Sequence, residues 1–188
     1  MKIAYILFND ITLLDFIGLY DPISRLKNHF MPGLHWDTIA FTTEIKDNNG
    51  ITLIPDKVGT SLAAYDMVFI PGGKGTRRLI QDIPFMKWIK SANDVPLKTS
   101  VCTGSLIWGA AGILQRRKAT THFAEYETLK NFGCDVLAQR IVDDGDIITA
   151  GAVASSLDLG LYLCNKWCGR EAEEIIRKKM DYHPANLY

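Results

Sequence analysis

The sequence predicts an α/β fold, a three-layer sandwich in which a mostly parallel sheet is flanked by helices. Residues 2–8 and 66–73 are apolar runs typical of strands that are buried on both faces, and residues 98–102 are predicted to form a third such strand. A stretch with helical patterning follows each strand, and this alternation favours a parallel sheet with right-handed crossovers. The 188 residues contain no repeat or linker, so we expect a single domain over residues 1–188.

Turn and helix-breaking residues divide the first half of the chain. The predicted elements are a strand at 2–8, a helix at 13–30, a strand at 35–42, two short strands around a turn at 47–50, a strand at 66–73 and a helix at 77–93. The turn has the sequence "DNNG", whose residue types favour turns. Pro84 interrupts or restarts the helix because proline lacks the backbone N–H that a helix interior needs.

Glycines mark several element ends in the second half of the chain. The predicted elements are a strand at 98–102, a helix from 103 to about 114, a short strand at 119–122, a helix at 123–133, a hairpin at 140–151 and a helix at 152–180. Gly133 is a candidate C-cap of its helix. Asp144 and Gly145 favour the hairpin turn, and Gly169 is expected to break the last helix.

The charge balance argues against two classes of partner. Lysine plus arginine number 21, as do aspartate plus glutamate, so the formal net charge is zero. Such a chain has no overall attraction for nucleic acid or an anionic membrane, and we expect neither as a partner. The basic clusters at 115–118 and 176–180 fit solvated helix ends, where cations are favourable.

The four cysteines are far apart in the sequence. The first residues, "MKIAYILF", are too short for a secretion leader and match a strand, so we expect a cytoplasmic protein with free thiols. Cys164 and Cys168 share a helix face but have no second ligand pair, so no metal site is expected. We interpret these two and Cys134 as structural.

Cys102 differs from the other cysteines in its surroundings. It stands in "SVCTGS", between a predicted strand and a predicted helix, where a tight turn would expose its thiol as the turn of α/β hydrolases exposes a nucleophile. Gly104 would relieve crowding in that turn. The helix N-terminus is expected to lower the pKa of the thiol. Cys102 is therefore our candidate nucleophile rather than a small buried hydrophobe.

Two further features fall at strand ends. Gly72 and Gly73 follow the strand at 66–73, where their N–H groups could stabilise a developing negative charge. Asp15 follows the first strand, within the apolar segment "LLDFIG", where a carboxylate is costly unless it is paired or protonated. Ligands of doubly wound sheets bind at this edge, so we expect these residues to meet Cys102 there. The alternative for Asp15 is a helix N-cap.

These motifs together resemble a known family. "IPGG" (70–73), "VCTGSLIWGAAGIL" (101–114), "ATTHF" (119–123) and "ITAGAVASSLDLGLYL" (148–163) are similar, in this order, to the DJ-1/PfpI superfamily of class I glutamine-amidotransferase-like domains. The resemblance extends from residue 1 to about 168. It implies a flavodoxin-like sandwich of the DJ-1/PfpI type.

Within the superfamily, the first segment resembles one branch. "LLDFIGLYDPI" (13–23) is similar to the start of isonitrile hydratases, which pair an aspartate with a cysteine followed by threonine, here Asp15, Cys102 and Thr103. PfpI-type proteases carry histidine where this chain has Thr103, and the DJ-1 branch carries glutamate where it has Asp15. His183 lacks the spacing of a glutamine-amidotransferase triad and is interpreted as a tail residue.

The resemblance implies hydration of an isonitrile (R–N≡C) to an N-substituted formamide without metal or organic cofactor. Cys102 would attack as a thiolate to give a covalent thioimidate, with Asp15 acting first as acid and then as base. Thr103 would orient the water or a carboxylate. Gly72, Gly73 and His122 are the expected substrate-binding residues, with the amides of Gly73 and Thr103 stabilising charge.

Other functions stay open at this stage. The same cysteine–acid pair could serve a glyoxalase-like reaction on a small aldehyde, or Cys102 could be a redox sensor. The branch also includes ligand domains of AraC-type regulators, and such a module would need a partner chain because about twenty residues follow the likeness. The family implies a homodimer; Trp36, or the pair Phe16 and Ile17, could provide exposed apolar surface for that interface or could close the pocket.

Overall fold

A seven-stranded sheet forms the middle layer of the protein. The computed structural model describes residues 1–183. The strands are β1 (Lys2–Leu7), β2 (His35–Ala40), β3 (Ile45–Lys46), β4 (Thr52–Leu53), β5 (Lys57–Val58), β6 (Met67–Ile70), β7 (Leu97–Val101), β8 (Lys118–Ala119), β9 (Asp135–Val136), β10 (Ile141–Asp143) and β11 (Ile147–Ala150). The helices are α1 (Leu13–His29), α2 (Thr76–Leu79), α3 (Ile83–Ile89), α4 (Gly104–Ala110), α5 (Tyr126–Lys130) and α6 (Ser155–Lys179).

The order of strands in the sheet explains the apolar runs of the sequence. The order is β10-β11-β7-β6-β1-β2-β5, and every neighbouring pair is parallel except β10 and β11, which form an antiparallel hairpin. All residues of β6, β7 and β11 are buried, as are all but the first of β1. Central strands of a parallel sheet are covered on both faces, which requires continuous burial rather than alternation.

Helices flank this sheet and supply the outer layers. α1 packs along α6, while α4 packs against α2 and α5 and against β6 and β7. The predicted α/β sandwich is therefore confirmed. Among the residues that the structure describes, every helix is too short or too polar to span a bilayer.

Several boundaries differ from the prediction. The strand at 66–73 ends at Ile70, where Pro71 and two glycines begin a loop. Only Lys118–Ala119 pairs as a strand, with β9, whereas 119–122 was predicted. Side chains hold the rest of that segment instead, because Thr120 N–H donates to Thr149 Oγ1 at 2.8 Å and Thr121 Oγ1 donates to the Cys102 carbonyl at 2.9 Å.

The glycine predictions agree better with the structure. Gly169 interrupts α6 with φ +82° and ψ 172°, so the predicted break is confirmed. Gly133 follows α5 with φ +78° and donates its N–H to the Lys130 carbonyl at 2.8 Å, as expected of a helix C-terminal glycine.

The three apolar residues considered for an interface have different environments. Phe16 is buried, with its ring 5.5 Å from that of Tyr5, so the prediction that it is exposed is wrong. Trp36 is partly buried and meets Tyr20 edge to face. Ile17 is exposed, so it alone of the three presents a largely open side chain.

Candidate active site

The turn at Cys102 is a strained backbone feature at the end of β7. Cys102 has φ +54°, a conformation that non-glycine residues rarely adopt. Its N–H donates to the carbonyls of Ala150 at 3.1 Å and Gly151 at 2.6 Å, and its own carbonyl accepts from Thr121 Oγ1. These bonds hold the residue between β11 and the segment after β8. The predicted strand-to-helix turn is present, and α4 begins two residues later at Gly104, but the turn leaves Cys102 buried, so the predicted exposure of its thiol is wrong.

Gly104 is required by close packing in this turn. A Cβ at this position would lie 2.2 Å from the carbonyl oxygen of Ile70 and 2.8 Å from that of Pro71. No side chain fits at such distances, so only glycine lets α4 start against the end of β6. The crowding that Gly104 was expected to relieve is therefore with the carbonyl groups of Ile70 and Pro71.

Asp15 lies in the first turn of α1 and is fully buried. Its Oδ2 accepts a hydrogen bond from Gly72 N–H at 2.9 Å, while its buried Oδ1 has no hydrogen-bond partner among the described residues. Thr12, not Asp15, occupies the N-cap position of α1. The N-cap alternative for Asp15 is therefore wrong, and its carboxylate is available for chemistry.

Gly72 is the point at which Asp15 and Cys102 meet. A Cβ on Gly72 would lie 2.7 Å from Asp15 Oδ2, 2.7 Å from Cys102 Cβ and 2.7 Å from Thr103 N. The space that a side chain would fill is thus already occupied by Asp15, by Cys102 and by the backbone of the strand-to-helix turn at residues 102–104 (the elbow). Glycine at this position lets three separate elements converge.

The electrostatics of the pair differ from the sequence-based expectation. Burial raises the pKa of Asp15 from 3.8 to about 6, a rise limited by the Gly72 N–H and the Cys102 thiol. Burial and the nearby Asp15 carboxylate raise the pKa of Cys102 from 9.0 to about 12, against the lowering effect of the Thr103 N–H. The prediction of a lowered cysteine pKa is wrong, because desolvation and a like charge outweigh the donors at the elbow.

Thr103 has a different environment from the one expected. Its Oγ1 accepts from Gly73 N–H at 3.0 Å and from Thr76 Oγ1 at 3.0 Å, and donates to the Gly73 carbonyl at 3.1 Å. The hydroxyl therefore binds the glycine loop rather than a carboxylate. The Gly73 N–H, expected to stabilise substrate charge, is engaged by this hydroxyl.

A pocket of about 200 Å³ opens onto the elbow. Its lining residues come from six parts of the chain and are Thr12, Asn48, Gly73, Lys74, Arg77, Cys102, Thr103, His122 and Val153. Of the predicted site residues, Cys102, Thr103, Gly73 and His122 line this pocket. Asp15 and Gly72 do not line it, but both contact the region immediately behind Cys102.

His122 lines the pocket without bonding to the cysteine. Its Nδ1 accepts from Ala124 N–H at 3.2 Å, and its ring stacks on Phe123 with centroids 4.3 Å apart. The histidine therefore forms part of a wall. Within residues 1–183, no three His, Cys, Asp or Glu side chains cluster closely enough to hold a metal ion.

Five lining residues were not identified from the sequence: Thr12, Asn48, Lys74, Arg77 and Val153. Asn48 arrives through the β3–β4 hairpin, whose Asp47 pairs with Ile11, and its Nδ2 donates to Thr12 Oγ1 at 3.0 Å. That long-range pairing left no local signal. Lys74 directly follows the two predicted glycines, so its position in the sequence could have identified it.

Larger grooves exist elsewhere but lack this chemistry. One of about 350 Å³ lies along α6 and is lined mainly by charged and polar side chains, including Arg170 and Glu173. Another of about 430 Å³ lies near Ile83 and Lys87. Neither contains a cysteine. The smaller pocket at Cys102 combines a cysteine, a buried acid behind it and backbone strain, so it is the candidate active site.

Comparison with known proteins finds relatives along nearly the whole chain. The model of the DJ-1/PfpI family matches residues 1–166. Among curated proteins, the chain is 32% identical to the isonitrile hydratase of Pseudomonas putida, over 98% of this chain and 80% of that protein. It is 22% identical to the HTH-type transcriptional regulator GbdR of Pseudomonas aeruginosa, over 96% of this chain but half of the regulator.

Solved structures share the whole fold. A ThiJ/PfpI family protein from Pseudomonas syringae superposes with a TM-score of 0.91 at 28% identity, covering 100% of this chain and 77% of that one. DJ-1beta of Drosophila melanogaster superposes with a TM-score of 0.83 at 17% identity, covering 97% and 98%. The family model spans most of the chain and the isonitrile hydratase exceeds 30% identity. The chain therefore belongs to the DJ-1/PfpI family.

Proposed function

We propose that the protein is an isonitrile hydratase, which adds water to R–N≡C and releases R–NH–CHO. The observation that carries this proposal is the buried contact between Asp15 and Cys102 across Gly72, at the base of a small pocket. The 32% identity to an isonitrile hydratase along nearly the whole chain supports the same reaction. The pair supplies both a nucleophile and a proton carrier, which this addition requires.

The protonation of the pair determines how the first step begins. With pKa values of about 6 for Asp15 and about 12 for Cys102, the pair carries one proton at neutral pH, as carboxylate and thiol. Asp15 therefore takes the thiol proton as Sγ attacks, and then delivers it to the former isonitrile carbon. An S–C bond and a C–H bond form, and the product is the thioimidate R–N=CH–S–Cys102.

The second step returns the enzyme to its starting state. Asp15, again a carboxylate, removes a proton from water as the oxygen adds to the thioimidate carbon, and passes this proton to the nitrogen. The C–S bond of the resulting R–NH–CH(OH)–S intermediate then breaks, giving the formamide. The departing sulfur takes the proton of the hydroxyl group, so the two steps together convert one isonitrile and one water into one formamide.

The supporting residues hold this geometry. The Thr103 N–H points to the sulfur and favours its charged form during attack and departure. The Thr103 hydroxyl fixes the glycine loop that positions Asp15, through Gly73. Gly73 and His122 form walls against which the substrate lies. We thus assign Thr103 and Gly72 to positioning the reactive pair.

The test is to mix the purified protein with a panel of alkyl and aryl isonitriles and to follow formamide by mass spectrometry. We expect formamide from the wild type and none above background from Cys102→Ala. Cys168→Ala, which changes a partly exposed cysteine outside the pocket, is the matched control and keeps activity. Turnover by Cys102→Ala would contradict the covalent steps, and no turnover of any isonitrile by the wild type would contradict the proposal.

A second candidate function, ligand sensing without turnover, is favoured by the relationship to GbdR. That regulator contains a region that is 22% identical to 96% of this chain. A sensing domain would bind a small molecule in the same pocket and release it unchanged. Recovery of every tested isonitrile and aldehyde unmodified, together with saturable binding, would favour this function over both enzymatic ones.

We also infer a homodimer from family membership. Leu14 and Ile17 are 51% and 41% exposed and lie three residues apart on α1, so they share one face. The same helix carries Asp15 between these two residues in the sequence. Sedimentation should give a dimer mass for the wild type and a monomer mass for the doubly substituted Leu14→Glu, Ile17→Glu protein; a monomeric wild type would contradict the inference.

A further inference from the structure

We propose that the pocket selects substrates that carry an anionic group, a carboxylate, at the end remote from the reacting carbon, with Lys74 and Arg77 binding that group. The inference rests on the proposed function only for the identity of the reacting group. The anion subsite itself follows from charges and contacts at the pocket.

The pocket concentrates positive charge that the whole chain does not have. The formal net charge of the protein is zero, yet the pocket lining includes Lys74 and Arg77 and contains no aspartate or glutamate. The other lining side chains carry no negative charge, although Glu125, outside the lining, pairs with Arg77 and the Asp15 carboxylate lies behind Cys102. A ligand that enters meets one cation without a protein partner, Lys74, beside a guanidinium that Arg77 shares with Glu125, and a carboxylate is the group that such a site favours.

Arg77 is held at the pocket by the loop that forms it. Its Nη1 donates to the Gly73 carbonyl at 3.3 Å, and its Nη2 forms an ion pair with Glu125. Gly73 in turn bonds to Thr103, the residue after the nucleophile. The guanidinium is therefore tied to the elbow, and its five N–H donors leave capacity for a ligand carboxylate besides Glu125.

Lys74 supplies the charge that has no protein partner. The two arginines that follow in the chain both have partners: Arg77 pairs with Glu125, and Arg78 pairs with Asp10 at 3.3 Å. No carboxylate within residues 1–183 pairs with Lys74. Lys74 follows directly on Gly73, at the rim of the pocket. An ammonium beside a cavity, without an internal counterion, gains its partner when an anionic ligand binds.

The size of the pocket limits the ligand to a small acid. Its volume is about 200 Å³, below the range of about 300 to 1,000 Å³ typical of pockets for drug-sized ligands. A single ring or a short chain with one carboxylate fits this description. Cys102 and both cations line this one pocket, so such a molecule can meet all three together.

The test compares two isonitriles of the same shape and different charge, 4-isocyanobenzoate and 4-isocyanobenzamide. We expect the wild type to have the higher kcat/KM for the benzoate, and Lys74→Gln to lower the ratio between the two substrates about fivefold, the effect of an ion pair at a partly exposed site. Arg77→Gln should lower it similarly. Lys87→Gln, on α3 and outside this pocket, is the control and should leave the ratio unchanged.

A binding measurement separates this inference from the proposed function. Calorimetric titration of Cys102→Ala with 4-formamidobenzoate and 4-formamidobenzamide should show tighter binding of the acid, and Lys74→Gln in the same background should remove about fivefold of that preference. If this preference is found but no isonitrile is hydrated, the anion subsite stands and the proposed reaction falls. If isonitriles are hydrated but acid and amide behave alike in both measurements, the anion subsite is refuted.

Discussion

Replacing Asp15 by asparagine should stabilise the folded protein at neutral and alkaline pH. The folded-state pKa of Asp15 is raised from 3.8 to about 6 by burial, so ionisation of this carboxyl opposes folding. The penalty is absent below about pH 4, grows between pH 4 and 6, and is complete above pH 6. At about 1.4 kcal/mol for each pH unit between the two pKa values, it reaches about 3 kcal/mol.

Asparagine is a suitable probe because it changes the charge and little else. Its amide oxygen can still accept the hydrogen bond that Gly72 N–H donates at 2.9 Å, while the ionisation disappears. Unfolding by urea should therefore show that the advantage of Asp15→Asn over the wild type increases by about 2 to 3 kcal/mol from pH 4 to pH 8. Asp94→Asn, which removes an exposed carboxylate, is the control and should show no such increase.

A stability difference that stays constant between pH 4 and pH 8 would refute the reasoning. It would mean that Asp15 ionises in the folded protein as easily as in the unfolded chain, and hence that burial does not raise its pKa. Asp15 would then be a weaker base towards the Cys102 thiol, and the fall of kcat/KM at low pH would move below pH 6.

Three further substitutions or reactions test the neighbouring contacts. Gly72→Ala places a methyl group 2.7 Å from Asp15 Oδ2 and Cys102 Cβ, so it should remove formamide formation and lower the free energy of unfolding in urea by about 1 to 3 kcal/mol. Gly33→Ala, whose new methyl group enters open space, is the control and should change neither. An active Gly72→Ala protein would contradict the close packing at Gly72. Thr103→Val leaves the Gly73 N–H without its acceptor and should cost about 1 to 3 kcal/mol of folding stability. Thr103→Ser keeps the hydroxyl and should retain most of that stability. Equal stabilities of the valine and serine variants would show that the hydroxyl contacts are unimportant. In the wild type at pH 7, Cys102 should react with iodoacetamide more slowly than Cys168, as measured by peptide mass mapping. Cys102 should react faster in Asp15→Asn than in the wild type, because the nearby carboxylate is removed. A wild-type Cys102 that reacts faster than Cys168 would contradict its raised pKa.

The sheet was predictable because its signal is local. β1 and β6 are continuous apolar segments, and turn or capping residues such as Gly133 and Gly169 mark where elements end. Some of the shortest strands were not predictable. β5 and the β8–β9 pair each contain two residues per strand, too few for any periodicity to emerge.

Within the candidate site, residue types were predictable and energetics were not. Cys102, Asp15 and the two glycines each follow a strand, and strand ends of a parallel sheet converge. The pKa of Cys102 depends instead on how deeply the thiol is buried and on its distance from Asp15, which no local pattern encodes. The engagement of Thr103 by Gly73 and Thr76 is likewise a tertiary contact between elements distant in sequence.

The measurement that tests the shared proton most directly is the pH dependence of kcat/KM for one neutral isonitrile, from pH 4.5 to pH 9. Because Asp15 must be ionised to take the thiol proton, kcat/KM should fall as the pH drops through about 6 and stay level between pH 7 and pH 9. A kcat/KM that rises about tenfold for each pH unit from pH 7 to pH 9 would contradict this, because it would show that a free Cys102 thiolate, formed without Asp15, is the reactive species.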